Sequence, residues 1–128
     1  MSEPIVFISH NRLKQGKLDE FERVYREVVK SIEVDKPGTL VQIAYVNEER
    51  TRVTFIHLFP DAAAFDLHLQ GVAERTEIAD EFIESESFEV YGKPNTGVLA
   101  SLRNATGPGV TLSVHPQYLG GFTRPAPG

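Results

Sequence analysis

Two histidines stand where the sequence is otherwise apolar, and imidazole is the side chain best suited to proton transfer near neutral pH. His57 lies between Phe55 and Phe59, and His68 lies at the edge of a helical apolar stripe. A histidine on an apolar face needs a hydrogen-bonding partner or a cavity. We interpret both as candidate bases toward an acidic phenol or enol. The alternative remains open that His57 is a bonded core residue and that His68 simply packs over the sheet.

Four further polar side chains lie on or at the ends of predicted strands. His10 and Asn11 end the first strand, where they could bind a ligand oxygen or form a turn with Arg12. Tyr45 and Tyr91 carry hydroxyl groups that could orient a planar aromatic ligand, although a strand tyrosine is commonly a packing residue. We expect a group of side chains to contact the ligand: His10, Tyr45, Phe55, Phe59, Phe65 and Tyr91.

Several other kinds of chemistry are excluded by residues that the sequence lacks. The chain has no cysteine, which excludes disulfides, thiolate nucleophiles and cysteine-ligated metals. Its four histidines have neither the spacing of a zinc protease motif nor an obvious set of partner ligands, so we expect no metal and no cofactor. The net charge of -5 comes without a basic stripe, so nucleic acid is not an expected partner.

The start of the chain lacks a basic region followed by a long apolar stretch, and no later segment is long and apolar enough to span a bilayer. We therefore expect a cytoplasmic protein without a membrane partner.

Apolar periodicity divides the chain into alternating strands and helices. Gly71 interrupts the second helical region, and Asp61 is placed to cap its start. The predicted order is a strand from residue 5, a helix over 18–32, strands over 40–46 and 52–59, helical stretches from 62 and from 72 to 83, and a strand over 87–91.

This order predicts an α+β fold of the ferredoxin-like, split βαβ kind, an antiparallel sheet with both helices on one face. The strands are apolar on both faces, since Val6 and Ile8 alternate with Ile5 and Phe7. Two helices can cover only one face, and a bare apolar face would be an unusually large exposed patch. We therefore expect a homodimer that packs sheet on sheet.

The remainder of the chain carries a short helical pattern near residues 98–102 and an alternating run at Val110, Leu112 and Val114. Gly120-Gly121 and the final residues 125–128 resemble a loop or arm. We therefore divide the chain into a domain over residues 1–93 and a C-terminal extension over 94–128. The extension is expected to pack on the domain or on the partner subunit.

The residues from about Ile5 to Lys93 resemble the antibiotic biosynthesis monooxygenase-like family of dimeric α+β barrels. Three motifs carry the resemblance: residues 16–21 (GKLDEF), the Pro37-Gly38 pair before the second strand, and residues 59–69 (FPDAAAFDLHL) after the third. The resemblance implies a dimeric barrel fold. It also implies that Asn11 corresponds to the asparagine that cofactor-free members use at the end of the first strand.

The same resemblance implies a cofactor-independent monooxygenase of a small aromatic or quinol-like substrate. His57 or His68 would act as base, with Asn11 and Tyr45 stabilising the oxyanion. The main alternative is a non-catalytic dimer that binds a small hydrophobic molecule or assists an enzyme, which the absence of tryptophan favours. A haem-degrading oxygenase comes third, because Glu77 and Ile78 stand where that group has a histidine.

Overall fold

The protein folds as a five-stranded mixed sheet whose helices pack on one face. The structure, a computed structural model, describes residues 3–124, without the side chains of residues 72–74 and 105. Its elements, in chain order, are β1 (Ile5–Leu13), α1 (Leu18–Asp35), β2 (Val41–Val46), β3 (Arg52–Phe59), α2 (Ala62–Leu69), α3 (Val72–Ala79), β4 (Ile83–Tyr91), α4 (Thr96–Ala105) and β5 (Thr111–His115).

The strand order is β2-β3-β1-β4-β5, with the first four strands antiparallel to their neighbours. This is the ferredoxin-like arrangement that the sequence predicts. The fifth strand is an addition: β5 pairs parallel with β4, from Ser87 opposite Thr111 to Tyr91 opposite His115. The alternating run of Leu112 and Val114 therefore extends the sheet. Residues 125–128, expected to belong to an arm, lie outside the described part of the chain.

Strand β1 is longer than its apolar start suggests. The turn expected at His10 and Asn11 is wrong, because both residues lie inside the strand and pair with β3 and with β4. Ser9 and Asn11 are buried on the helix side, where they bond to each other, so polar side chains continue the strand instead of ending it. The partner strand β4 has a bulge opposite the His10–Asn11 step.

The second helical region divides at Gly71, as predicted. Gly71 has a φ of 82°, a left-handed conformation that glycine adopts without steric cost. Asp61 caps α2 by accepting a hydrogen bond from the backbone N–H of Ala64 at 2.8 Å. The helix expected to run to residue 83 ends earlier, because Phe82 is buried in the core and Ile83 begins β4.

Two apolar clusters hold the helices against the same face of the sheet. In one, Phe65 of α2 and Leu102 of α4 pack on Phe7, Phe59 and Val90 of the sheet. In the other, Phe21 of α1 packs with Leu13, Val53, Phe82 and Ile83. Because α4 contributes to the first cluster, residues of the C-terminal extension are part of the core.

The opposite face of the sheet, here called the open face, has no helix over it among the described residues. Its β2–β3–β1 half is apolar, whereas its β4–β5 half is polar. Ile43 is 41% exposed and Tyr45 is 65% exposed on this face. The apolar half consists of Val6, Ile8, Val41, Ile43, Tyr45, Ile56 and Leu58.

Within residues 3–124, no helix has the length and apolar character needed to cross a membrane.

Candidate functional site

A cavity of about 700 Å³ lies between the helices and the covered face of the sheet. All four helices and four of the five strands contribute to its wall. Most of the lining surface is apolar, although nearly half of the lining residues are polar or charged, and such a mixture suits a small-molecule site. The apolar lining includes Phe7, Phe21, Phe55, Phe88, Val98 and Leu102.

His57 lines this cavity from the centre of β3 and is only 7% exposed. Its Nδ1 lies 3.0 Å from the carbonyl oxygen of Phe7. A carbonyl oxygen can only accept, so Nδ1 carries the proton and donates it, which leaves a lone pair on Nε2. Burial lowers the pKa of His57 to about 4. The side chain is therefore neutral near pH 7, with Nε2 as a proton acceptor.

His68 faces His57 from α2 and also lines the cavity. The two ring centroids are 5.1 Å apart. Nδ1 of His68 lies 2.8 Å from the hydroxyl of Thr39, which can donate or accept. Burial is the main cause that lowers the pKa of His68 to about 3, and the charges of His57 and Arg75 act in the same direction. The cavity thus contains two neutral imidazoles.

Asn11 lines the same cavity from β1 and is 2% exposed. Its amide nitrogen donates to the hydroxyl of Ser9 at 2.9 Å and also contacts the carbonyl oxygens of Ser9 at 3.3 Å and Val53 at 3.4 Å. Two of these partners can only accept, so the amide orientation is fixed by its surroundings. The group left for a ligand is Oδ1, an acceptor. In this arrangement Asn11 can bind a substrate hydroxyl, whereas stabilising an oxyanion needs a donor.

The three phenylalanines expected to contact a ligand separate into two groups. Phe55 lines the cavity. Phe59 and Phe65 are completely buried and stack on each other with ring centroids 4.9 Å apart. The Phe59 ring also stacks parallel to the His57 ring, with centroids 6.2 Å apart. Phe59 and Phe65 therefore pack against the histidine site from the core and position it.

The structure places His10, Tyr45 and Tyr91 on the open face, away from the cavity. Successive side chains of a strand point to opposite faces of the sheet. The residue next to each of these three faces the helices, so the three side chains themselves lie on the open face. Nε2 of His10 lies 2.6 Å from Glu89, and the Tyr91 hydroxyl donates to the same carboxylate at 2.9 Å. This placement corrects the expectation that the three residues contact a ligand beside His57. Tyr45 in particular cannot stabilise an oxyanion there.

Three polar residues that the sequence did not single out line the cavity. Tyr25 of α1 accepts a hydrogen bond from Nε2 of Gln42 at 3.3 Å, and burial raises the pKa of the tyrosine. The other amide atom of Gln42, Oε1, is buried without a partner among the described residues. Arg75 of α3 is the third. Gln42 was detectable in principle, since an amide in the middle of an apolar strand needs a partner.

No three described residues of the metal-binding types are close enough together to hold a metal ion. The polar groups of the cavity instead form a set suited to hydrogen bonding and proton transfer, with His57 and His68 at its centre.

Comparison with solved structures shows where this architecture recurs. MupZ from Pseudomonas fluorescens superposes with a TM-score of 0.73 at 19% sequence identity, over 97% of each chain. SnoaB, a cofactor-independent oxygenase from Streptomyces nogalater, superposes with a TM-score of 0.60 at 17% identity, over 74% of this chain and 97% of its own. A putative antibiotic biosynthesis monooxygenase from Bacteroides thetaiotaomicron gives 0.57 at 22% identity, over 69% and 85%.

These superpositions decide the fold. It is the antibiotic biosynthesis monooxygenase-like fold. No protein-family model and no curated protein sequence matches this chain.

The C-terminal extension is part of the similarity to MupZ. The MupZ superposition spans 97% of this chain, so it includes most of residues 94–124. The extension contributes Val98, Ser101 and Leu102 to the cavity lining. The added segment therefore completes one wall of the cavity in this version of the fold.

Proposed function

We propose that the chain is a cofactor-independent monooxygenase of a planar, aromatic, quinol-like substrate bound in the cavity. The observation that carries the proposal is the tautomer of His57. The Phe7 carbonyl holds the proton on Nδ1, so the lone pair on Nε2 is available in an apolar cavity with aromatic walls. The similarity of fold to SnoaB, a cofactor-independent oxygenase, supports the same class of chemistry.

In the proposed reaction, Nε2 of His57 accepts a proton from the substrate, which becomes an electron-rich carbanion or phenolate. This anion donates an electron to dioxygen, and the two radicals combine to form a carbon–oxygen bond. The resulting peroxide anion takes back the proton from His57 and becomes a hydroperoxide. The hydroperoxide then loses water together with the remaining hydrogen of that carbon, which leaves a carbonyl group on the substrate. Both oxygen atoms are accounted for, one in the product and one in water, and dioxygen is the only oxidant.

The low pKa of His57 is compatible with this role. Burial penalises an isolated imidazolium, which is why the pKa falls to about 4. Proton transfer from a bound substrate creates an adjacent anion, and attraction between the two charges is strong where water is excluded. The ion pair thus offsets part of the desolvation penalty. His68, 5.1 Å away between ring centroids, can accept a second hydrogen bond from the substrate.

The partner that we propose is a second copy of the chain, packed on the open face. The apolar half of that face includes Ile43, which is 41% exposed in a single chain, and Tyr45, which is 65% exposed. Sheet-on-sheet packing would bury them and would leave the cavity, on the other side of the sheet, accessible.

One observation favours a second candidate function, a carrier or accessory protein that binds a small apolar molecule without converting it. A histidine with a pKa of about 4 is a weak base until a charged partner is bound. The apolar walls alone are sufficient for binding.

Oxygen consumption with anthrone as a tricyclic test substrate separates the two functions. The His57→Asn variant is the informative change, because an asparagine amide can still donate to the Phe7 carbonyl but offers no basic nitrogen. We expect His57→Asn to reduce the rate at least 100-fold, within the range that general base catalysis contributes. His115→Asn, at an exposed histidine of β5, is the matched control. Oxygen uptake by His57→Asn equal to wild type would refute the proposed base, and anthrone bound but unconverted by wild type would favour the carrier.

A further inference from the structure

Arg75 is the only cationic residue among those that line the cavity in the described part of the chain. It lies near the start of α3, after the left-handed Gly71 that separates α2 from α3. One guanidinium nitrogen, Nη2, donates to the carbonyl oxygen of His68, and Nη1 donates to that of Gln70 at 3.5 Å. Both acceptors belong to the end of α2.

These partners leave the charge of Arg75 uncompensated. Carbonyl oxygens satisfy two of the five N–H groups of a guanidinium but carry no net charge. Among the described side chains, arginine ion pairs involve Arg12, Arg26, Arg50 and Arg52, and no carboxylate pairs with Arg75. Partial burial lowers the pKa of Arg75, which shows that its charge is incompletely solvated.

The field of Arg75 reaches the centre of the cavity. Its charge contributes to the low pKa of both His57 and His68. Asp66 and Asp80 also line the cavity, but both are exposed, so solvent screens their charges more effectively. Near the histidines, the charge of the partly buried Arg75 is therefore screened less by solvent than the charges of these two exposed carboxylates.

We propose that the ligand of this cavity carries a carboxylate that pairs with Arg75, so that the substrate is an aromatic acid. This inference rests on the cavity assigned under the proposed function and not on its reaction. Arginine suits the role, because its remaining N–H groups can engage both oxygens of a carboxylate. The apolar walls would bind the ring system, and Arg75 would fix its orientation relative to His57.

The test uses two fluorescent tricyclic ligands that differ only in charge, anthracene-9-carboxylate and anthracene-9-carboxamide. Their affinities for the full chain are measured by fluorescence anisotropy. We expect wild type to bind the carboxylate at least tenfold more tightly than the carboxamide. Arg75→Gln should weaken carboxylate binding at least tenfold and change carboxamide binding less than twofold. Arg75→Lys should retain part of the preference, because it keeps the charge but not the paired donors.

Arg23→Gln is the matched control, since Arg23 is exposed on α1 and its loss changes the net charge equally. A role limited to capping the end of α2 makes a different prediction: Arg75→Gln would lower the melting temperature and weaken both ligands by the same factor. That outcome, or a wild-type protein that does not prefer the carboxylate, would overturn the inference.

The result of this binding test can be distinguished from the result of the oxygen-uptake test of the proposed reaction. Oxygen uptake on anthrone, which has no carboxylate, depends on His57 and does not require Arg75. A wild-type protein without a preference for the carboxylate, but with His57-dependent oxygen uptake on anthrone, would refute only the role of Arg75. A wild-type protein that binds neither fluorescent ligand and takes up no oxygen with anthrone would refute both proposals.

Discussion

The imidazole rings of His57 and His68 meet edge to face, with an interplanar angle of 66° and centroids 5.1 Å apart. They belong to different elements, β3 and α2, and each is held by its own partner: the Phe7 carbonyl oxygen for His57 and the Thr39 hydroxyl for His68. Two neutral histidines at this separation make the cavity sensitive to protonation, because neither can be charged without affecting the other.

Stability should fall as the pH is lowered below about 6.5. The pKa of His57 is about 4 in the folded protein, against 6.5 for the free side chain, so the unfolded chain binds more protons between these values. Stability from this residue is therefore fully present above pH 6.5 and is lost as pH falls toward 4. The expected loss is on the order of 3 kcal/mol. Urea unfolding at a series of pH values measures it.

His57→Asn should make this pH dependence less steep and leave the contribution of His68, whose pKa is also lowered, whereas His115→Asn should leave the dependence unchanged. An identical slope for wild type and His57→Asn would mean that His57 is accessible to protons in the folded state.

Asn11→Asp should destabilise the fold by about 2–3 kcal/mol at pH 8, the usual cost of leaving a buried charged group without donors. The carboxylate would face the carbonyl oxygens of Ser9 and Val53, which now accept from the amide. Chemical denaturation provides the value. Asn104→Asp, at an exposed position of α4, should cost less than about 0.5 kcal/mol. Equal effects at the two positions would contradict the fixed amide orientation.

Asp61→Ala should cost about 1 kcal/mol, because the backbone N–H of Ala64 loses its acceptor at the start of α2. Asp61→Asn should retain most of the stability, since an asparagine oxygen accepts the same hydrogen bond. Thermal unfolding of the three proteins is sufficient. A melting temperature for Asp61→Asn as low as that for Asp61→Ala would show that the negative charge of Asp61, and not its capping hydrogen bond, stabilises α2.

The proposed homodimer predicts that a lysine in the middle of the open face prevents association. Ile56 pairs with Ile8 and Ile43 on the neighbouring strands, so its side chain is surrounded by apolar groups. We expect Ile56→Lys to be monomeric by light scattering coupled to size exclusion, with wild type dimeric. Val34→Lys is the control, because Val34 is 79% exposed on α1. A monomeric wild type, or a dimeric Ile56→Lys variant, would argue against this interface.

The sequence predicts most of the architecture, because the signals are local. Residues 52–59 match β3, Asp61 caps α2, and Gly71 separates two helices, each as turn and capping chemistry requires. The ends of strands are less predictable. Ser9 and Asn11 interrupt an apolar run, and in the sequence alone they resemble the end of a strand. The strand residues that pair with them are distant in sequence, and only the folded sheet shows that both side chains face a cavity.

The site is predicted less completely for the same reason. His57 and His68 stand out because a polar group interrupts an apolar pattern. Arg75 does not, since a charged residue on a helix is usually solvated. His10, Tyr45 and Tyr91 look like ligand contacts until the strand register assigns them to the open face.

The wall that α4 contributes has a consequence for how such proteins diversify. Both histidines precede Lys93 in the chain, whereas Val98, Ser101 and Leu102 follow it. A single recombination event after the codon for Lys93 would exchange that wall and preserve the imidazole pair. The imidazole pair and the part of the cavity wall that α4 supplies are thereby encoded in separate stretches of the gene, so this part of the wall can change while both histidines stay in the sequence.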